Sequence, residues 1–538
     1  MSYENKARRI RADLSKYTTA SVVNELLNAL HDKTPIEHEG MRRAWLLCLA
    51  LDWTLELQPT QEAIKIDRAS MDKILNKIWN LQSYASDISA ESYELPLRAM
   101  MIQQLEFQRP KSEHLLFMFR LHNILFRSGK TETLVQDFES ITGLKLIDYF
   151  ALAIWTHHIF INKQTSVIPY ENIIEELYPG YSIDQLSKFF KNLGGTLPEL
   201  KRLYEKPSDR KLFKYEYFCE PASLKRPFLF LPKGLSTPHS YVLSKGVCEF
   251  VLRRLKSSDP ERFKNKFTVA FEEYVSDILK NLNPSIMRET EIQAIYASKN
   301  VSGKCVDFLL HEGNNIILID AKCAEPQPNV LSSDNPLHIA DRIKANMLKG
   351  VQQVGETIKN LEKLDYANLP DIDHRYSVIV THQDFYIRNL SKLTAYLGED
   401  KSMKYNDSTS GSINQEKLMF ISIDHFEAIA IICKAANRSI SDFISFVVDA
   451  EKSHITECFA MIQYIEKYAK SVGVKRSFRE SSHLRSSLES GRENLGHALN
   501  TSKNYWRNKN SDEGIRAFIR AYYELKSELL QAQPNLLV

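Results

Sequence analysis

The chain has 538 residues, of which 43% are hydrophobic, 25% charged and 10% aromatic, a balance that excludes collagen-like, low-complexity and wholly disordered proteins. Seventy Lys and Arg against 67 Asp and Glu leave a net charge of +3, so no overall field draws the molecule to nucleic acid or membrane, and any such attraction is local. The seven cysteines are odd in number and hold no CxxC pair, which excludes a disulfide framework and a zinc ribbon.

Residues 1–205 read as a helical region: stretches such as 20–30 and 173–190 space apolar residues three and four apart, with turn signals at Pro179-Gly180 and Gly194-Gly195. The first residues carry charge with no apolar run behind them. The densest apolar runs, 44–51 and 149–161, fall short of the roughly 18 residues that a membrane helix requires. A cytoplasmic protein with no membrane partner is expected. His157 and His158 stand in the second run, where adjacent helical residues point about 100° apart, which suits packing better than a shared metal.

Over 206–257 the texture changes. KLFKYEYF and RPFLFLP suit short strands, and a linking helix is expected over 241–255. Within 258–450, ERFKNKFTVAFEEYVSDILKNL carries Phe263, Phe267, Phe271, Val275 and Ile278 as one helical stripe. A strand is expected at 286–292, then a hairpin of KCVDFLL and IILIDAKC around the turn-rich HEGNN, buried on both faces. A helix over 339–361, a strand at 376–381, a Ser-, Asn- and Asp-rich insertion near 399–416, a strand at 418–424 and a helix at 426–436 follow. Residues 451–538 return to helix.

Asp307 and Asp320 are embedded in runs that otherwise read as core, where an ionised side chain is costly unless paired or metal-bound. A hairpin loop of residues 312–315 pairs His311 with Ile316 and sets Asp307 opposite Asp320, whereas one more loop residue sets Asp307 against Ile319. In the first register two like charges face each other about 5 Å apart at Cβ, and a cation between them turns the liability into a site. Strand alternation aims Lys322 to the same face as Asp320 and Ala321 away from it. On the preceding helix, a stripe centred on Phe271 puts Glu272 at its edge and Glu273 toward solvent, which makes Glu272 the better candidate for a third carboxylate. The structural alternative is a plain Asp–Lys ion pair near a strand end, with Asp307 at a turn.

A helix with Glu, a strand, a hairpin carrying Asp and Asp-x-Lys, a helix and a strand: this order resembles the PD-(D/E)xK nuclease superfamily over about residues 258–450. AFEEYV, Val306-Asp307 and Asp320-Ala321-Lys322 carry the resemblance. It implies an α/β (mixed α+β) restriction-endonuclease-like core, a mixed sheet flanked by helices, between a large helical N-terminal region and a helical C-terminal region. It further implies that Asp307, Asp320 and Glu272 bind Mg²⁺, with Mn²⁺ a substitute, and that Lys322 positions or activates the attacking water. Val306 stands where the family's proline would be. Gln352 or Gln353 resembles the polar position near the substrate backbone. A divalent ion held by carboxylates supplies both a nucleophilic water and stabilisation of phosphoryl charge, which is the chemistry phosphodiester hydrolysis needs.

Residues 466–509 hold ten Lys or Arg, among them Lys475, Arg476 and Arg479, against four Glu, with Phe478, Tyr505 and Trp506 interleaved. That pattern suits phosphate contact and base stacking as well as it suits a solvated helix face. Cys305 and Cys323 flank the hairpin and read as packing, and no GxxxxGK[ST] loop is present. The expectation is a metal-dependent nuclease acting on DNA, with RNA or tRNA as the other substrate. The layout resembles bacterial phage-defence effectors, with a protein trigger or partner at the N-terminal helical region and a homodimer as one form. The rivals are a non-catalytic nucleic-acid-binding or sensor protein on the same scaffold and a nuclease subunit of a recombination or transposition complex.

Overall fold

In the computed structural model the chain packs as two units, Met1–Phe126 with Glu132–Pro260 and Ser486–Val538, and Arg127–Thr131 with Glu261–Arg485. The structure describes residues 2–32, 43–86, 94–127, 129–163, 165–283, 285–398, 407, 409–475 and 481–531. The helical tail expected over 451–538 is thus divided: its first part packs in the second unit and Ser486 onward in the first.

The first unit is mainly helical, as the spacing of its apolar residues predicts. Thr19–His31, Tyr170–Leu177 and Ile183–Leu193 each turn one apolar face inward, burying Leu26, Ile173, Ile174, Phe189 and Phe190. It also holds a small sheet of four strands, β1 (Val167–Pro169), β2 (Gly194–Thr196), β3 (Phe228–Leu231) and β4 (Gly234–Ser236), in the order β1-β4-β3-β2. RPFLFLP forms β3 as expected, and Gly194-Gly195, expected as a turn, forms β2 parallel to it. A Cβ on Gly194 would lie 2.6 Å from the Cβ of Phe228, so only glycine permits this approach. KLFKYEYF does not form a strand. Its Glu216 accepts the amide of Phe213 and pairs with Arg210, which closes the 3₁₀ turn Lys214–Phe218 and tucks Tyr217 and Phe218 into the core. The linking helix is two, Ser240–Cys248 and Phe250–Ser258. Among the described residues no single helix is long and apolar enough to cross a membrane. The bent pair Glu132–Thr142 and Leu146–Asn162 reaches that length only jointly, and its second arm is core, with Tyr149, Phe150 and Leu152 buried.

The second unit is built on a sheet of five strands in sequential order, β5 (Ile286–Arg288), β6 (Phe308–Glu312), β7 (Asn315–Lys322), β8 (Arg375–Thr381) and β9 (Leu418–Ser422). β5-β6-β7 are antiparallel, and β7-β8-β9 are parallel. Parallel pairing needs a crossover, which Pro336–Ile343, the π-turn Lys344–Leu348 and Lys349–Lys363 supply between β7 and β8. The predicted stripe Phe263, Phe267, Phe271, Val275 and Ile278 is buried along the helix Pro260–Leu282. The strand expected at 286–292 stops at Arg288, because Glu291 accepts the Arg288 amide and the helix Glu289–Ser298 begins there. Residues 399–406 and 408 of the expected insertion lie outside the described residues. The chain is therefore mixed α and β, dominated by helix, with two mixed sheets.

β7 and β8 are covered on both faces, as their near-continuous apolar runs require. Ser377 in β8 is fully buried and its hydroxyl has no hydrogen-bond partner. Because that hydroxyl is dehydrated without compensation, Ser377→Ala is expected to raise stability by about 1 kcal/mol in urea unfolding. A loss of stability would show that the hydroxyl has a partner.

Candidate active site

The hairpin β6-β7 closes through Glu312↔Asn315, with His311↔Ile316 and Phe308↔Ile319 in register. Of the two registers the sequence allows, this is the one that sets Asp307, one step before β6, beside Asp320. Asp307 is held there: its Oδ2 accepts the Ala321 amide at 2.6 Å, and its carbonyl accepts the Glu289 amide at 2.8 Å.

Asp320 is fully buried near the carboxyl end of β7. Neither of its side-chain oxygens has a hydrogen-bond partner. Lys322 lies on the same face, as strand alternation predicts, with Nζ 2.6 Å from Asp320 Oδ2. The contact is an ion pair whose direction does not make a hydrogen bond, so Asp320 remains a desolvated carboxylate beside the Lys322 ammonium. Gly350 permits the burial. A Cβ there would stand 2.9 Å from Asp320 Oδ2 and 3.0 Å from Ile379 Cδ1, so the crossover helix comes this close only because the position is glycine. The π-turn Lys344–Leu348 immediately precedes it, a helix irregularity of the kind often found at functional sites.

Glu272 joins this group electrostatically. Burial raises its carboxyl above the ordinary range; Lys322 lowers it, and Glu289, Asp320 and Glu273 raise it further. Asp307 is raised too, first by burial and then by Asp320, against the pull of Lys322. Glu289 is a fourth carboxylate that the sequence reading missed, because it treated 286–292 as strand. Its only local signal is the Glu-Thr-Glu start of a helix.

Gln353 and Gln352 separate in the structure. Gln353 Nε2 donates to the Cys305 carbonyl at 3.1 Å, while its Oε1 is buried without a partner. One turn on, Thr357 Oγ1 accepts the Val306 amide at 3.1 Å and donates to the Gln353 carbonyl. These two side chains fix the segment that delivers Asp307. A proline at position 306 would have no N–H to give Thr357. Gln352 is half-buried.

The carboxyl ends of β7, β8 and β9 bring further polar groups alongside: Glu325 with His382 at 3.0 Å, and Ser422 with His425 at 2.9 Å. Phe267 and Phe271, next to Glu272, meet His382 edge-on. Lys475 is exposed, Arg476, Phe478 and Arg479 lie outside the described residues, and Tyr505 and Trp506 pack against Tyr178 in the first unit. His157 Nε2 donates to the Lys111 carbonyl and the side chain is buried, the packing role expected of it.

Among the described residues no three His, Cys, Asp or Glu side chains converge as ligands of one metal ion. The fit of a divalent ion rests instead on the buried Asp320, neither of whose oxygens is hydrogen-bonded, beside the second carboxyl of Asp307. Mg²⁺ commonly takes only one or two carboxylates, the rest of its shell being water and substrate phosphate. Comparison of the chain with protein-family models, with curated proteins and with solved structures returns no match.

Three outcomes test this geometry. Since the folded state holds the Asp307 proton more tightly than the unfolded chain, metal-free protein should lose stability as pH rises from about 4 toward the raised value. Asp307→Asn should therefore raise the metal-free melting temperature at neutral pH, with the gain vanishing near pH 4. Mg²⁺ or Mn²⁺ should raise the melting temperature of the wild type and not of Asp320→Asn, and equal shifts in both would rule out a shared site. Val306→Pro, which removes the N–H that Thr357 accepts, should destabilise by about 1–3 kcal/mol in denaturant unfolding.

Proposed function

We propose that the second unit is a restriction-endonuclease-like nuclease domain that hydrolyses phosphodiester bonds of nucleic acid with a divalent metal. The observation that carries the reading is the fully buried Asp320, with two unmet oxygens, set beside Asp307 and sharing a face with Lys322. The order of elements supports it: a helix with Glu272, three antiparallel strands, a crossover helix and a parallel strand. It also agrees with the rule that ligands meet open sheets at the carboxyl ends of parallel strands.

Asp307 and Asp320 would hold the ion, with Glu272 and Glu289 at its margin. Mg²⁺ or Mn²⁺ bound there supplies a Lewis acid and a water of lowered pKa. The chain's own part is electrostatic and positional. Ala321 and Glu289 amides fix Asp307, Gly350 lets the crossover helix shield Asp320 from water, and Lys322 places an ammonium where phosphoryl charge would grow. With an ion held by Asp307 and Asp320, the Lys322 ammonium would be free to donate hydrogen bonds to the phosphoryl oxygens or to orient the attacking water. We take DNA as the favoured substrate and RNA, including tRNA, as the alternative. Bacterial antiviral defence is the setting we propose, the helical first unit sensing or binding a trigger.

A specific observation favours a second reading. Lys322 already neutralises Asp320 at 2.6 Å, so a non-catalytic scaffold needs no metal. Cleavage separates the two. Wild type with Mg²⁺ or Mn²⁺ should degrade either plasmid DNA or total RNA, EDTA should stop it, and the Asp320→Ala, Lys322→Ala double variant should be at least about a hundredfold slower. Absence of cleavage together with absence of a metal-induced thermal shift would leave the scaffold reading.

A further inference from the structure

The last helix of the first unit, Ser511–Leu530, is apolar on two opposite faces. One face packs inside the unit: Ala521, Leu525 and Leu529 are buried, and Tyr522 meets the ring of Tyr170. The other carries Ile515, Ile519 and Tyr523, each four residues from the next and so in one row, and these remain 57%, 48% and 63% exposed. Apolar residues scattered singly over a surface are ordinary. A row of three large ones along about 12 Å of helix marks a surface that meets something.

The charges beside the row are ordered along it. Arg516 and Arg520 stand in its first half, Glu524 and Glu528 in its second, and all four are exposed. Glu528 pairs with Lys191 at 2.6 Å, and among the described residues Arg516, Arg520 and Glu524 form no ion pair. This order does not serve the helix itself. Acids toward a carboxyl end oppose the helix dipole, and a Glu stabilises a helix better when it precedes its cation than when it follows. The order is instead self-complementary, since a copy turned end for end presents acids to the basic half and bases to the acidic half.

We propose that two copies of the chain associate through this face, their Ser511–Leu530 helices antiparallel about a two-fold axis near Tyr522. That axis sets Arg520 opposite Glu524 of the partner subunit and Arg516 opposite Glu528 of the partner subunit, and symmetry makes each contact twice. The apolar rows then interdigitate. Tyr523 falls between Ile519 and Tyr523 of the partner subunit, the stagger that ridges of residues four apart adopt when they pack into each other's grooves.

A groove of about 810 Å³ extends the face beyond Ile515, lined by Leu499, Trp506, Ile515 and Phe518, with Lys503 and Lys509 also at its surface. In the antiparallel pair it lies beside the acidic carboxyl end of the partner's helix, which those two lysines suit. Glu175 and Glu176 also reach this groove, and Glu176 already accepts Trp155 Nε1 at 2.7 Å and faces Lys163. One helix about 30 Å long with an adjoining groove is small for a specific interface, so dissociation constants of about 1–100 µM are expected. The interface is independent of the nuclease reading.

The test is sedimentation equilibrium of the full chain over about 1–300 µM, a range that brackets the expected constants. The wild type should move from the 62.1 kDa of one chain toward twice that mass as its concentration rises. Ile519→Glu, Arg520→Glu and Glu524→Arg should each weaken self-association at least about tenfold, with melting temperatures close to that of the wild type because all three side chains are exposed. An equimolar mixture of Arg520→Glu and Glu524→Arg should associate about as tightly as the wild type, because mixing restores both opposite-charge contacts. A wild type that remains a single chain at about 300 µM would overturn the proposal in favour of a different protein on this face. Undiminished association of Ile519→Glu, or a mixture no tighter than either variant alone, would overturn it as well.

Discussion

The second unit is organised by one unfavourable interaction, the burial of the Asp320 carboxylate in a sheet whose central strands are mostly apolar. Transfer of an ion into such surroundings costs several kcal/mol even after relaxation, and the nearby Asp307 carboxyl is raised by burial and by Asp320. Lys322 offsets part of that, yet it leaves both oxygens of Asp320 without a hydrogen bond. The surrounding structure over-determines the arrangement: Gly350 gives the crossover helix its close approach, Thr357 and Gln353 hold residues 305 and 306, and the Ala321 amide fixes Asp307. Helix, hairpin and crossover all converge on two acidic side chains that would be more stable as apolar ones.

That convergence explains what was legible in the sequence. Long apolar stripes and two-face-buried runs are set by burial, which is additive along an element, so the helix Pro260–Leu282 and strands β6 to β9 follow from residue spacing. The register of the hairpin was legible only as a choice of two, because a one-residue change in the loop shifts every pair. The two-residue turn at Gly313 and Asn314, with Gly313 in the left-handed region, decides it.

What was not legible was decided by single side-chain to backbone bonds. Glu291 capping Arg288 converts an expected strand into a helix and so brings Glu289 to the site. Glu216 capping Phe213 turns an aromatic run with strong strand preference into a 3₁₀ turn. Such caps are worth about 1 kcal/mol each, comparable to the whole spread of strand propensity, so propensity alone cannot rank the outcomes. Gly350 was invisible for another reason: its role depends on what tertiary packing places beside it.

Lys322 has two incompatible demands on it, and the tension between them bears on how a site of this kind works. In the metal-free protein its ammonium is, among the described residues, the cation paired with the buried Asp320. In the proposed reaction Asp307 and Asp320 would hold a divalent ion, and Lys322 would be free to turn toward the substrate. A phosphate arriving with its counter-ion would thus meet a site that changes partners without losing charge balance, since the ammonium moves from one anion to another. The same exchange sets a threshold, because the ion must out-compete a 2.6 Å ion pair already in place. In this reading the Asp-x-Lys spacing does more than aim two groups at one point. It supplies an internal cation that holds the carboxylates together until the metal and the substrate phosphate arrive to share them.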